Sequence, residues 1–379
     1  MNVAQRPAST RVKLERMRKA LRHEEPDRVP ISDFFWGGFL DRWRRELDLP
    51  PETDPYRYYD LDWIVTIPNM DPHIRSFETI REDQNEVWVK TGFETVLRKR
   101  LDLPMPEQMG WETDSIAKLE AFEFDDPCDR RRFFAAGDNQ IAGVGDGFQR
   151  NSPAWIETVN SLWGDFPVFG SMIEVSECLT RLIGQENTLL WMGLYPERLG
   201  ACINRIGEFY LACCRAAIDA ADGRLDGFVI WGDVAYRKSV FFSPEYWRAY
   251  FKPWVKAMVE YCHARGLPVI YHGCGNVKAI FEDYIEIGVD AYNPLEVKAG
   301  MDPPTLKAQY GDRLAFHGGL NALLYNDPDR LWEEMARVIP VMKQDGGYLI
   351  SSDHSVPHTV SLDQFRRFVA LAKELGSYD

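Results

Sequence analysis

The chain has 379 residues, 45% of them hydrophobic and 27% charged, enough for a sizeable core in two average domains or one large barrel. A formal net charge of -14 argues against nucleic acid as a partner, since phosphate binding needs clustered Lys and Arg. No apolar run approaches the ~20 residues of a membrane helix, residues 1–18 lack a secretion signal's apolar stretch, and seven scattered cysteines fit a reducing cytoplasm.

In chain order, residues 11–22 read as a basic amphipathic outer helix. Pro26-Asp27-Arg28-Val29-Pro30 then leads into a first strand over 29–34, with a helix over 39–47. A second apolar strand spans 61–67 and stops at Pro68-Asn69-Met70-Asp71. Residues 76–100 alternate polar and apolar side chains (Val87, Val89, Phe93, Val96) with Thr91-Gly92 near a turn, which predicts a β-hairpin or small antiparallel appendage. Pro104 and Pro106 mark its exit, and short helices follow over 115–122 and 127–136. Residues 72–140 therefore make an insertion longer than an ordinary loop. The basic runs inside it, Arg98-Lys99-Arg100 and Arg130-Arg131-Arg132, are flanked by acids and read as solvated surface.

Ser152-Pro153 has the chemistry of a helix start. A strand over 166–172, helices over 175–183 and 196–222 and a strand over 227–231 come next. Ser243-Pro244-Glu245 opens a helix in which Trp247, Tyr250, Phe251, Trp254, Met258 and Cys262 recur at helical spacing, a core-facing stripe. The last third repeats strand and helix four times, with strands over 268–271, 289–293, 313–316 and 348–351. Helices are opened by Asn276, by Asp302-Pro303, by Asp327-Pro328 and by Ser361 with Gln364, a capping box; Gly288 ends the first as a left-handed cap. Each strand is short and apolar throughout, as a parallel strand buried on both faces should be. The expected fold is α/β: a (β/α)8 TIM-type barrel, one domain over 1–379, with the hairpin and short-helix appendage inserted after the second strand.

In such barrels chemistry sits just past the C-terminal ends of the strands. Those positions hold Asp33 and Trp36, Asn69 and Asp71, Glu174, Asp233 and Tyr236, His272 and Cys274, Asn293 and Glu296, His317, and Asp353 with His354. Five of the seven histidines (His73, His272, His317, His354 and His358) fall in strand-end loops, which favours a site there over scattered structural roles. His272-Gly273-Cys274 offers an imidazole and a thiol two residues apart. With His354 after the eighth strand it forms an N/S/N set that suits Zn²⁺ with the fourth position open to substrate. His317, Asp353 and Asp233 are candidates for proton transfer or for support of a ligand. Phe34, Phe35, Trp36, Trp231, Tyr236 and Tyr292 are expected to wall a pocket for an apolar or aromatic molecule, with Asp33, Asn69 and Glu296 also facing it.

Several segments carry a family likeness in their order and spacing. They are Pro26 to Pro30, Pro167-Val168-Phe169-Gly170-Ser171-Met172-Ile173-Glu174, Leu182-Ile183-Gly184-Gln185-Glu186-Asn187, Ser243-Pro244-Glu245 and His272-Gly273-Cys274-Gly275-Asn276. Glu286-Ile287-Gly288-Val289-Asp290, Asn293-Pro294, His317-Gly318-Gly319 and the closing strand up to Pro357 complete the set. Through them the chain resembles the uroporphyrinogen decarboxylase superfamily, including its corrinoid-dependent methyltransferase branch. The resemblance implies a β/α barrel, often a homodimer. It also sets a departure from the true decarboxylase, whose Arg-Gln-Ala-Gly-Arg-Tyr segment is replaced by Asp33-Phe34-Phe35-Trp36-Gly37-Gly38-Phe39. Without those arginines a polyanionic tetrapyrrole is poorly matched. The methyltransferases of this branch carry His-x-Cys after strand five and a further Cys after strand eight, binding zinc. His272 and Cys274 match the first two and His354 stands at the third, with Asp353 as its alternative and Asp233 or Glu296 for a remaining contact.

The resemblance implies a zinc-dependent enzyme moving a methyl group between a small methyl donor or acceptor and a corrinoid (cobalamin), free or on a partner protein. With an aryl methyl ether, zinc polarises the ether oxygen while Co(I) takes the methyl in line. In reverse-acting relatives zinc holds a thiolate that receives it. O-demethylation of a methoxyaromatic is the expected direction. The rivals are a metal-free decarboxylase-like lyase using Asp33, Asp233 and His272, and a non-catalytic binding barrel.

Overall fold

The computed structural model describes residues 5–50, 53–103, 105–141 and 148–378. Seven parallel strands form one curled sheet in the order Ile64–Val65, Val168–Ile173, Gly227–Trp231, Val269–His272, Ala291–Asn293, Ala315–His317, Tyr348–Leu349. Residues 29–32 take the eighth place in the ring. On one flank Ile350 N–H donates to Pro30 O and Ser32 N–H to Ile350 O; on the other, Asp62 N–H donates to Ile31 O. The expected barrel is present, with its first strand reduced to this bonded segment. Pro30 has no N–H to give, and Ile31 N–H goes to the Asp62 carboxylate at 2.7 Å instead of to a backbone carbonyl.

That carboxylate is the hub of ring closure. Asp62 is fully buried and accepts from Arg16 and from both ends of the Arg28 guanidinium, while Arg16 also grips Asp27. The Pro26 to Pro30 motif thus ties helix Ala8–Leu21 to the first two barrel segments. Inside the ring Trp63, Phe169, Val229, Ile270, Ala291, Ala315 and Leu349 interlock, and Met17 and Leu21 close its N-terminal end. Two large aromatics, Trp63 and Phe169, are matched there by two alanines, Ala291 and Ala315, as the layered interior of such a barrel requires.

The caps read from the sequence form as expected for Ser243, Asp302, Ser361 with Gln364, and Gly288 at φ +84°. Ser152 instead ends a strand paired with Gly137, and the helix begins at Trp155. The aromatic-stripe helix is two helices, Pro244–Tyr250 and Lys252–His263, because Pro253 removes an amide where they meet. The appendage is larger than a hairpin: Glu78–Glu82, Glu86–Lys90, Thr95–Arg100 and Glu107–Trp111 form a four-stranded antiparallel sheet. Pro104, expected at its exit, lies outside the described residues. Arg132 is not solvated surface. It is buried, donating to the carbonyls of Asp126, Asn69 and Asp71. Among the described residues no helix is long and apolar enough to cross a membrane.

Candidate metal centre and substrate pocket

Two neighbouring strands end in the same way. Trp231-Gly232-Asp233 follows one and His272-Gly273-Cys274 the next, and Trp231 pairs with His272 in parallel register. Asp233 and Cys274 are therefore side by side, and Cys274 N–H donates to Asp233 Oδ1 at 2.8 Å. Cys274 Sγ lies 3.8 Å from His272 Nε2, and Asp233 Oδ1 lies 4.0 Å from the same nitrogen. Among the described residues these three side chains form the one group whose ligand atoms all fall within 4.8 Å of one another. Tetrahedral zinc with bonds of ~2.0 to 2.3 Å holds its ligand atoms roughly 3.3 to 3.8 Å apart, so a small inward movement of each would seat the ion. The donor set, one nitrogen, one sulfur and one oxygen, is of the kind zinc takes.

The electrostatics favour a cation. The Cys274 thiol is pushed well above its ordinary pKa by burial and then by Asp233 and Glu296, and Asp233 is itself raised by burial and by Glu177. The Asp233 carboxylate faces the cavity and is the exposed member of the trio, with about half of its side chain accessible (49%). Glu296 accepts from Gly275 N–H at 2.6 Å, and Asn293 joins the rings of His272 and His317.

The trio floors a cavity of about 210 Å³ at the C-terminal mouth of the barrel. Phe34, Trp36, Ile67, Ile173 and Trp231 are among its walls, with the Trp231 ring 4.7 Å from the His272 ring. A larger open groove, about 840 Å³, lies at the opposite end between Arg6, Arg18 and the Asp226 and Asp290 loops. Its charges are largely matched, Arg6 with Asp226 and His263 with Asp290, and among the described residues it holds no metal-ligand cluster.

The remaining residues singled out in the sequence divide clearly. Trp36 and His354 stack against each other at 5.5 Å in the pocket wall, and His354 does not join the Asp233–His272–Cys274 group. The Asp353 carboxylate is buried and accepts from Ala322 N–H and Val297 N–H, which ties three strand-end loops together. Asp33 does the same for the closing loop, accepting from Phe34 N–H, Ser352 N–H and the hydroxyls of Ser351 and Ser352; burial pushes its pKa up to about 7. His317 is buried with its pKa lowered to about 3 by burial. Asn69 holds Asp71 N–H and the Asp138 carbonyl. Phe35 points into the core against Phe39 and Phe365 while its neighbour Phe34 faces the cavity. Tyr236 is exposed and stacks on Phe241. His73 pairs with Glu94 in the appendage, and His358 is exposed.

Tyr292 lies on the helix-facing side of its strand, away from the pocket, where its hydroxyl donates to Gly273 O at 2.7 Å. Tyr271 donates likewise to Gly232 O at 3.1 Å, and Tyr348 to Gly318 O at 3.0 Å. In each case a tyrosine on a later strand fixes the peptide just past the end of an earlier one. Two of those peptides precede Asp233 and Cys274. Sequence reasoning missed this role, and also Glu177 and Arg181, which line the cavity as an ion pair from helix Val175–Ile183.

Gly275 completes the turn at φ +87°, where an added Cβ would meet the backbone of Ala235 and Tyr236 at 2.7 to 2.8 Å. Gly275→Ala should therefore cost about 1–3 kcal/mol and lower metal retention. Gly266→Ala, at φ +71° in open space, should lose about 1–2 kcal/mol from its backbone conformation alone and leave metal retention unchanged. Thermal unfolding with metal analysis of both variants checks the contrast.

Residues 154–375 match the model of the family described as Uroporphyrinogen decarboxylase (URO-D). The chain is 24% identical over 188 residues to a uroporphyrinogen decarboxylase of Saccharophagus degradans, covering 48% of this chain and 50% of the relative. It is 24% identical over 182 residues to the Hydrogenovibrio crunogenus protein of the same name, covering 48% and 49%. The chain thus spans about half the length of the curated relatives it matches. A solved methyltransferase from Methanosarcina mazei shares the fold at TM-score 0.66 and 16% identity, covering 96% of this chain and 98% of that one. With more than half of its length matched by the family model, the chain belongs to the uroporphyrinogen decarboxylase family.

Proposed function

We propose that the protein is a zinc-dependent methyltransferase acting between a small methoxyaromatic substrate and a corrinoid, supplied free or by a partner protein. The observation that carries the reading is the Asp233–His272–Cys274 cluster on the floor of an aromatic cavity at the barrel mouth. The methyltransferase chemistry of the Methanosarcina mazei protein, which has this fold, adds support. The decarboxylase's own substrate class fits less well. Among the described residues lining the cavity, Arg181 is the one arginine or lysine, and its charge is matched by Glu177.

His272 Nε2, Cys274 Sγ and a carboxylate oxygen of Asp233 would hold the metal, leaving a fourth position toward the cavity. Zinc bound there supplies a Lewis acid for the heteroatom that loses or gains the methyl group. Phe34, Trp36 and Trp231 would clasp the substrate ring and exclude water, and His354, stacked on Trp36, belongs to that wall. Asp353 and Asp33 act on the loops through backbone amides. The lyase alternative needs Asp33 as an acid or base, but its carboxylate is buried and engaged by four donors.

Metal analysis of the wild type beside four alanine variants tests the reading. The wild type should carry about one zinc per chain. His272→Ala, Cys274→Ala and Asp233→Ala should lose it, whereas His354→Ala should keep it. A wild-type protein without zinc would sink the proposal, and loss of zinc in His354→Ala with retention in Asp233→Ala would restore His354 as the third ligand. Adding methoxyaromatics to the zinc-loaded protein with Co(I) cobalamin should then change the cobalamin spectrum.

A further inference from the structure

We infer that Asn293 is a positioning residue that sets which nitrogen of His272 is free for the metal, by referring the ring to a backbone carbonyl. The inference rests on the zinc reading above. Asn293 is buried (2% exposed) at the end of strand Ala291–Asn293, paired with His272 in register. Its Nδ2 lies 3.1 Å from His317 O and 2.8 Å from His317 Nδ1, and its Oδ1 lies 2.5 Å from His272 Nδ1.

The direction of every bond follows from one fixed point. A backbone carbonyl can only accept, so the amide must turn its NH₂ to His317 O. The second hydrogen of that NH₂ goes to His317 Nδ1, which must then be an acceptor. The amide oxygen is left facing His272, and it too can only accept. His272 Nδ1 therefore carries the hydrogen, and its Nε2 presents a lone pair toward Cys274 Sγ and Asp233 Oδ1. Metal-binding histidines are commonly oriented through the far nitrogen in this way, and losing the outer partner costs about 10–100-fold in metal affinity. His317, read from the sequence as a proton-transfer candidate, here anchors the amide and stays behind it.

Two substitutions separate positioning from a merely structural role. Asn293→Leu keeps the volume but removes both bonds, and should weaken zinc binding by about 10–100-fold in chelator competition. Asn293→Asp keeps an acceptor for His272 Nδ1, and should hold zinc within a few-fold of wild type. It should nevertheless unfold at lower temperature, because a second carboxylate oxygen now faces the His317 carbonyl. A structural residue would show affinity following stability across both variants, and that outcome overturns the inference. The tautomer can also be read without mutation of Asn293, by ¹⁵N-histidine NMR of the metal-free wild type with His272→Gln used for assignment. An Nδ1–H tautomer at His272 is expected, and an Nε2–H tautomer contradicts it. Zinc-free wild type would overturn the reading beneath, while the tautomer still decides the inference itself.

Discussion

Cys274→Ala should lose at least about a hundredfold in zinc affinity, more than the loss of an outer partner costs, and methyl transfer with it. Its fold should stay close to wild type. Among the described residues the Cys274 sulfur meets one hydrogen-bonding partner, His272 Nε2 at 3.8 Å, and the turn around it is built from backbone. Gly273 N–H donates to Asn293 O, Cys274 N–H to Asp233 and Gly275 N–H to Glu296. None of those bonds uses the sulfur. Metal analysis beside thermal unfolding reads both halves of the expectation. Retention of tight zinc binding by the alanine variant would remove the thiol from the ligand set.

Asp62→Ala should be the most damaging substitution for the fold itself, costing about 3–5 kcal/mol in denaturant unfolding. It would strand Arg16 and Arg28 against the barrel wall with no buried counter-charge, and free Ile31 N–H as well. Because these contacts close the ring at its N-terminal side, far from the mouth, the folded fraction should still bind zinc. A loss below about 1 kcal/mol, the scale of an exposed pair, would mean that the closure does not depend on this carboxylate.

The second half of the barrel was readable because local signals agreed with the global one. Strands such as Val269–His272 are apolar on both faces, and caps such as Asp302 and Ser361 mark where each following helix begins. The first strand was harder. Its ladder is a few isolated bonds around Pro30, and a side-chain carboxylate replaces one of the expected backbone acceptors. The fourth strand of the appendage has no such signal, because Glu107–Trp111 lacks the alternation of Val87 and Val89.

At the site, His272 and Cys274 were visible as a pair because two residues of one turn supply them. For the third place the resemblance put His354 first and kept Asp233 only for a remaining contact, whereas register brings Asp233 from the adjoining strand beside His272 and Cys274. A signal was nonetheless present: Trp231-Gly232-Asp233 and His272-Gly273-Cys274 repeat a strand-end residue, a glycine and a ligand-type side chain. The tyrosines that fix those glycine carbonyls had no such signature, since an apolar strand position looks alike whether its side chain meets the pocket or the helices. The apolar strand around Tyr292 therefore reads as pocket wall, whereas its side chain lies on the helix-facing side.

X-ray absorption at the zinc edge tests the central claim most directly. Wild-type protein should show one sulfur at about 2.3 Å and nitrogen or oxygen neighbours at about 2.0–2.2 Å, with the zinc edge itself lost in Cys274→Ala and the shell unchanged in His354→Ala. A wild-type spectrum with no sulfur neighbour, or no zinc edge at all, would contradict an open His–Cys–Asp zinc site.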